Sequence, residues 1–80
     1  MKLPRSLSGK DLIKAFSRLD YEVTRQTGSH VRLTTQLHGE HNITVPAHDP
    51  LKVGTLNSIL KGIGEHHSLS RNELIRLLFK

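Results

Sequence analysis

The chain has 80 residues, of which 35% are hydrophobic and 24% are charged, and it contains no cysteine. This composition predicts one small globular domain over residues 1–80 with a core of Leu, Ile and Val, and it excludes a disulfide scaffold, a thiolate zinc site and a cysteine nucleophile. The net charge of +5 favours a polyanionic partner, foremost nucleic acid, although it fits an ordinary basic protein equally well. The absence of cysteine makes the cytoplasm the expected compartment. Because no long apolar run is present, we expect that the chain does not enter a membrane.

The first predicted element is a helix from about Ser8 to Leu19. Ser8 followed three residues later by Asp11 has the pattern of a capping box, which marks a helix start. The apolar residues that recur at helical spacing behind it are Leu12, Ile13, Phe16 and Leu19.

Alternation with a period of two then predicts three antiparallel strands. Residues 27–29 join the first two, residues 37–41 form the second hairpin, and the third strand ends at Pro46, which cannot donate to a sheet ladder. If helices cover one face of the sheet, the side chains expected to point towards them are Tyr21, Val23, Val31, Leu33, Ile43 and Val45. The open face is then expected to carry Thr24, Gln26, His30, Arg32 and Thr44, and to be polar and partly cationic.

Two helices are predicted in the remainder of the chain. The first begins near Thr55, and Gly62 and Gly64 mark its end. The second opens with a capping box formed by Ser70 and Glu73. The order of helix, three strands, helix and short helix predicts an α+β fold, with helices on one face of a three-stranded antiparallel sheet.

His30 is the first candidate for chemistry. It follows Gly28 and Ser29 at the start of a strand, in the phase opposite to the core-facing Val31, so its side chain is predicted to be accessible. An imidazole exchanges protons near neutral pH and therefore suits acid–base catalysis. Taken alone, however, such a position is more often that of an ordinary surface histidine.

The other histidines raise the question of a metal site. His38 and His41 flank Glu40, but a catalytic zinc usually has three protein ligands, and His66 and His67 are predicted to lie in a separate linker between helices. We therefore expect no metal. Motifs for a nucleotide or other cofactor are also missing from the sequence, so no cofactor is expected.

A second candidate site lies at the start of the second helix. Lys52, Gly54 and Thr55 bring a cation, a flexible glycine and free backbone N–H groups to one point, which is a plausible phosphate site. The alternative, slightly favoured on this pattern alone, is that Gly54 only eases entry into the helix while Lys52 is solvated.

Taken in order, three groups of residues resemble the HicA toxin family of mRNA interferases. They are Gly28-Ser29-His30, then Val45-Pro46-Ala47-His48, then Leu51-Lys52-Val53-Gly54-Thr55-Leu56 with Ile59-Leu60-Lys61. The resemblance covers nearly the whole chain. It implies a double-stranded-RNA-binding-like α-β-β-β-α sandwich, which agrees with the order of elements obtained independently from periodicity.

The resemblance also implies a function. It indicates the toxin of a type II toxin–antitoxin system, a metal-independent endoribonuclease that cleaves mRNA, inhibits translation and is bound by a cognate HicB-type antitoxin covering the active site. His30 is then the catalytic residue. The residues expected to contact RNA or its phosphates are Gly28, Ser29, Arg32, Lys52, Gly54 and Thr55, with His48 as a possible second proton carrier.

Two features depart from the family pattern. Val31 and Arg32 follow His30, where many relatives have a second histidine, and the chain continues through residues 70–80, which suggests an added packing or partner surface. Two other functions remain open. A non-catalytic RNA-binding module would bind without cutting, and a protein-docking domain would have little salt-dependent affinity for RNA.

Overall fold

The computed structural model describes residues 7–47 and 51–79. In chain order the elements are α1 (Gly9–Phe16), a 3-10 turn (Ser17–Leu19), β1 (Glu22–Thr27), β2 (His30–Thr35), β3 (His41–Pro46), α2 (Val53–His67) and α3 (Arg71–Leu78). The strands form one antiparallel sheet in the order β1-β2-β3, so the predicted α+β class and α-β-β-β-α order are confirmed. Within these two ranges, no helix has the length and apolar character needed to span a membrane.

Both predicted capping boxes are present. At the start of α1, Ser8 Oγ accepts a hydrogen bond from Asp11 N–H (3.1 Å), and the Asp11 carboxylate accepts one from Ser8 N–H (3.0 Å). Ser70 and Glu73 repeat this arrangement at the start of α3. These bonds satisfy backbone donors that a helix start leaves free, which explains why the sequence places the helix starts here.

The predicted end of the second helix is wrong. α2 runs through Gly62 and Gly64 to His67, and Ser68 ends it in the left-handed conformation with φ of 56°. Gly64 serves the packing of the turn into α3, because a Cβ atom there would lie 2.9 Å from the carbonyl oxygen of Leu69. His66 therefore belongs to the last turn of α2 together with His67, and neither histidine lies in a linker.

The helices cover one face of the sheet. The strand residues buried beneath them are Val31, Leu33, Ile43 and Val45, which pack with helix residues such as Leu12, Phe16, Leu60 and Ile63. Tyr21, just before β1, is buried as predicted. Val23 pairs with the fully buried Leu33 and therefore projects from the helical face as predicted, but its side chain is 52% exposed. β1 is an edge strand whose residues are all exposed, so the helical layer protects β2 and β3 and leaves β1 open.

A β-bulge at Thr24 changes the orientation of the rest of β1. Val23 pairs with Leu33, but the next paired residue is Arg25, opposite Arg32, followed by Gln26 opposite Val31. Directly opposite residues of an antiparallel pair project from the same face. Gln26 therefore lies on the helical face, contrary to the prediction, and Arg25 lies on the open face.

Candidate nucleic-acid interface

His30 lies directly after the turn of the first hairpin. Thr27 pairs with His30, so Gly28 and Ser29 form a two-residue loop. Gly28 has a φ of +58°, the conformation required at the first central position of a type II′ hairpin turn. The His30 side chain is exposed, and neither ring nitrogen is engaged by a hydrogen bond among residues 7–47 and 51–79.

The open face of the sheet consists of polar and cationic rows. His30 lies between Thr27 and Pro46, and the next row places Arg32 between Arg25 and Thr44. We call the part of this face formed by His30, Arg25 and Arg32 the cationic end. The predicted open-face positions are correct for Thr24, His30, Arg32 and Thr44, which are all exposed.

The opposite end of the open face is held by hydroxyl and amide groups. Thr24 Oγ1 lies 2.9 Å from Thr34 Oγ1, and the Thr34 hydroxyl donates to Asn42 Oδ1 at 2.6 Å. Glu22, opposite Thr34, adds the acidic group of this face. Positive charge is therefore concentrated near His30 and is not spread evenly over the sheet.

Arg25 is missed by the sequence interpretation, because strict alternation puts it on the same side as Tyr21 and Val23. One signal could have revealed it. After Val23 the strand contains four polar residues, 24–27, so no apolar residue occupies the core-facing phase. Such a loss of alternation is typical of a bulge or an edge strand.

The predicted phosphate site at the start of α2 does not lie on the open face that carries His30. Lys52 is the N-cap residue and makes no side-chain capping bond, Lys52 and Gly54 are exposed, and Thr55 is half-buried. Because α2 packs on the helical face, its start lies across the sheet from the side chains of His30 and Arg32. The fold thus brings Gly28, Ser29, His30 and Arg32 together at one end of the sheet, whereas Lys52, Gly54 and Thr55 lie at the helix start on the other side of the sheet.

The α2 start is nevertheless close to the His30 end of the sheet. Leu51 N–H donates to the carbonyl oxygen of Leu7 (2.9 Å), which joins the α2 start to the α1 start. Gly9 in turn packs against the backbone of Pro46, the residue that pairs with His30. His48 falls outside the described residues.

Four other histidines form a cluster at the opposite end of the sheet, on its helical side. The cluster brings the β2–β3 turn into contact with the last turn of α2. His41 and His66 are stacked with ring centroids 4.4 Å apart, and His66 and His67 are 4.7 Å apart. His38 lies 5.5 Å from His67. In the described ranges, no set of three histidine or acidic side chains has an arrangement suited to a metal ion.

Tyr21 links two rings of the histidine cluster. Its hydroxyl lies 2.6 Å from His41 Nδ1 and 3.1 Å from His67 Nε2. A hydroxyl has one hydrogen to donate, so we assign the short bond to donation to His41 and the longer one to donation by His67 Nε2–H. His67 Nδ1 is then a bare nitrogen, buried without a partner in the described structure.

This arrangement favours neutral rings. Burial, and secondarily the neighbouring His66, hold the pKa of His41 and that of His67 below the usual value of 6.5. Burial also raises the pKa of Tyr21 to about 12, so its hydroxyl stays protonated. His41 and His67 therefore favour the uncharged form in the interior, remote from His30.

The fold and the open face define a small α+β domain with a cationic sheet surface. A comparison with protein families matches residues 9–65 to the family described as HicA toxin of bacterial toxin–antitoxin systems. The match covers well over half of the chain, and the protein belongs to this family. Among curated proteins and solved structures, no significant match is found. Membership makes the protein a toxin and implies an antitoxin partner.

Proposed function

We propose that this toxin is an mRNA interferase, a metal-independent endoribonuclease that inhibits translation by cutting mRNA in the cytoplasm. The observation that carries the proposal is the position of His30, which is exposed and unpaired among the described residues and shares its sheet face with Arg32. The Gly28-Ser29-His30 motif of the resemblance supports the same residue. In this proposal residues 1–80 act as one HicA-like domain.

RNA supplies its own nucleophile in this reaction. The ribose 2′ oxygen forms a bond to the adjacent phosphorus while the bond from phosphorus to the 5′ oxygen breaks, leaving a 2′,3′-cyclic phosphate and a 5′ hydroxyl. His30 accepts the proton of the 2′ hydroxyl or donates one to the departing 5′ oxygen, and water completes the other transfer. Such acid–base help is worth about a hundredfold to ten-thousandfold in rate.

Phosphate binding is assigned to the residues around this reaction. Arg32 lies on the same face as His30, two residues further along β2, and its guanidinium would hold the RNA backbone at a phosphate beside the reacting one. Gly28 and Ser29, in the turn of the first hairpin, leave room for the RNA backbone to pass beside His30. Lys52, Gly54 and Thr55 would hold a phosphate further along the chain, where RNA passes round the end of the sheet, and His48 would be an auxiliary proton carrier.

The antitoxin partner is proposed to be of the HicB type and to cover the face that carries His30. A bound protein on this face would exclude RNA sterically and place groups against Arg32. Inhibition would then require no change in the toxin fold.

A non-catalytic RNA-binding module is the second candidate. The observation that favours it is the lack of any orienting hydrogen bond to His30 within the described ranges, since catalytic imidazoles are commonly held by a second group. Such a module would bind RNA through the same cationic end and leave it intact.

Replacing His30 by Ala tests the proposal. Purified wild-type and variant proteins are incubated with labelled RNA in the presence of a chelator, and the cleavage rate is measured. We expect cutting by the wild type and a fall of at least about a hundredfold in the variant, with RNA binding retained. His38→Asn is the matched control, because this exposed histidine lies at the far end of the sheet in a left-handed conformation that Asn tolerates.

Three outcomes separate the candidates. Loss of cleavage in the His30 variant alone supports the ribonuclease. Full cleavage by a folded His30→Ala protein contradicts the assignment of this residue. Binding by the wild type without any cleavage supports the non-catalytic module.

A further inference from the structure

Two arginines face each other on the open side of the sheet. Arg25 on β1 pairs directly with Arg32 on β2, and this pairing exists because the bulge at Thr24 shifts the register of β1. Directly opposite side chains of an antiparallel pair have Cβ atoms about 5 Å apart and project from the same face. The two guanidinium groups therefore share one patch of surface.

Neither arginine has a counter-charge in the described part of the chain. Both side chains are exposed, and neither forms an ion pair or a hydrogen bond with residues 7–47 or 51–79. Glu22, the acidic group of this face, lies opposite Thr34, beyond the bulge. Like charges directly opposite each other destabilise a strand pair. The free protein thus keeps an unfavourable pairing that a bound anion would relieve.

We infer that Arg25 and Arg32 together bind one RNA phosphate next to the phosphate that is cut, so that the RNA backbone follows β2 across the open face. This inference rests on the proposed function. His30 and Arg32 are two residues apart on one strand, which corresponds to about 7 Å along the sheet. Each guanidinium offers parallel N–H donors to phosphate oxygens, and two of them on one phosphate neutralise it from both sides.

The placement of the aromatic residues indicates how this face recognises RNA. The protein has two Phe, one Tyr and no Trp. Phe16 and Tyr21 are buried, and Phe79 packs against the core, so no aromatic ring of these types lies on the open face for a base to stack on. Binding through phosphate without base stacking depends strongly on salt and weakly on base sequence.

The test measures RNA affinity across a salt series in the His30→Ala protein, which keeps the substrate intact. Fluorescence anisotropy of a labelled single-stranded RNA is recorded between about 50 and 200 mM salt. Adding Arg25→Gln should lower the affinity about tenfold and make the slope of log affinity against log salt shallower by about 0.7. Arg25→Lys should keep the slope, because the charge remains, and lose part of the affinity, because the guanidinium fork is gone.

Lys61→Gln is the matched control. Lys61 is an exposed cation on α2, which packs against the other face of the sheet, and its loss removes the same unit of charge. Its salt slope should equal that of the parent protein. Arg25→Gln should also melt at the same temperature as the parent or higher, because the substitution removes the repulsion from Arg32.

The failures are distinguishable. If RNA binds and Arg25→Gln matches Lys61→Gln in affinity and in salt slope, the paired arginines do not bind phosphate. The ribonuclease proposal is tested separately, by the cleavage assay. If the two Arg25 variants melt far below the parent, Arg25 has a structural role and the inference is overturned. If neither the wild type nor the parent protein binds RNA at any salt concentration, both proposals are wrong.

Discussion

Acid should destabilise this protein through the histidine cluster well before its carboxylates are protonated. Tyr21 bonds two imidazoles with a single hydroxyl hydrogen, so at most one ring nitrogen can donate to it while it donates to the other. Protonating His67 would place a charged N–H at the buried Nδ1, which has no acceptor among the described residues. Protonating His41 would place a hydrogen on the nitrogen that accepts the hydroxyl.

The sign and size follow from proton linkage. The folded-state pKa of His41 and that of His67 lie below the ordinary 6.5, so the unfolded chain binds more protons than the folded one as pH falls. The stability that these two neutral histidines contribute is therefore fully present above about pH 6.5 and is lost progressively as the pH falls below it. Each histidine contributes a limiting slope of about 1.4 kcal/mol per pH unit, so the two together contribute about 2.7 kcal/mol per pH unit. Over one pH unit this is a large part of the about 5–15 kcal/mol by which folded proteins are typically stable.

Urea unfolding followed by circular dichroism at a series of pH values between about 7.5 and 5 measures this effect. The wild type should lose stability steadily below about pH 6.5, and His67→Gln, which keeps an amide near Tyr21 but cannot titrate, should lose it at about half the rate. A free energy of unfolding that stays constant over this range would refute the proposal that His41 and His67 are neutral in the folded protein. So would a His67→Gln profile parallel to that of the wild type.

Two further predictions concern packing. Gly9→Ala should lower the unfolding free energy by about 1–3 kcal/mol, because its Cβ would lie 2.7 Å from the Pro46 carbonyl oxygen. The control Gly62→Ala, whose Cβ would have nothing within 4 Å, should be neutral or stabilising. A stabilised Gly9→Ala protein would contradict the close approach of Gly9 to Pro46. Val23→Thr should change stability by less than about 0.5 kcal/mol because the side chain is 52% exposed, whereas Leu33→Ala, fully buried opposite it, should cost about 2–5 kcal/mol, and equal losses would contradict the exposed edge of the sheet.

Local features were predictable because the residues that form them are adjacent in sequence. The capping boxes at Ser8 and Ser70 depend on residues three positions apart, and both occur as expected. The order of strands and the buried positions of β2 and β3 follow from alternation, since both strands lie under the helices. The end of α2 was not predictable from alternation or propensity. Gly64 is required by close packing against the Leu69 backbone and does not mark a helix end.

The composition of the open face was only partly predictable. The exposure of His30 and Arg32 follows from their alternation with buried residues, but the position of Arg25 depends on a bulge whose register is defined only against β2. Edge strands allow such shifts because no second neighbour fixes them. A single extra residue in β1 thus decides whether a cation faces Arg32 or the helices.

The histidine cluster is a second feature that could not be predicted from the sequence. His38 lies on the β2–β3 turn, His41 begins β3, and His66 and His67 lie on the last turn of α2. Only the tertiary fold brings the ring centroids of His41 and His66 to 4.4 Å from each other. Spacing along the chain contains no information about such a contact, and an early helix end at Gly62 or Gly64 would have removed it. The same error in the bounds of α2 placed His66 and His67 in a linker.

The chemistry of the product ends gives the most direct test of the claim that His30 assists attack by the RNA's own ribose hydroxyl. Wild-type protein is incubated with an RNA and with the same sequence methylated at every 2′ oxygen, and the fragments are weighed by mass spectrometry. The account predicts fragments ending in a 2′,3′-cyclic phosphate from the first RNA, far fewer of them with His30→Ala, and none from the methylated RNA. Cleavage of the methylated RNA, or equal fragments from both proteins, would contradict it.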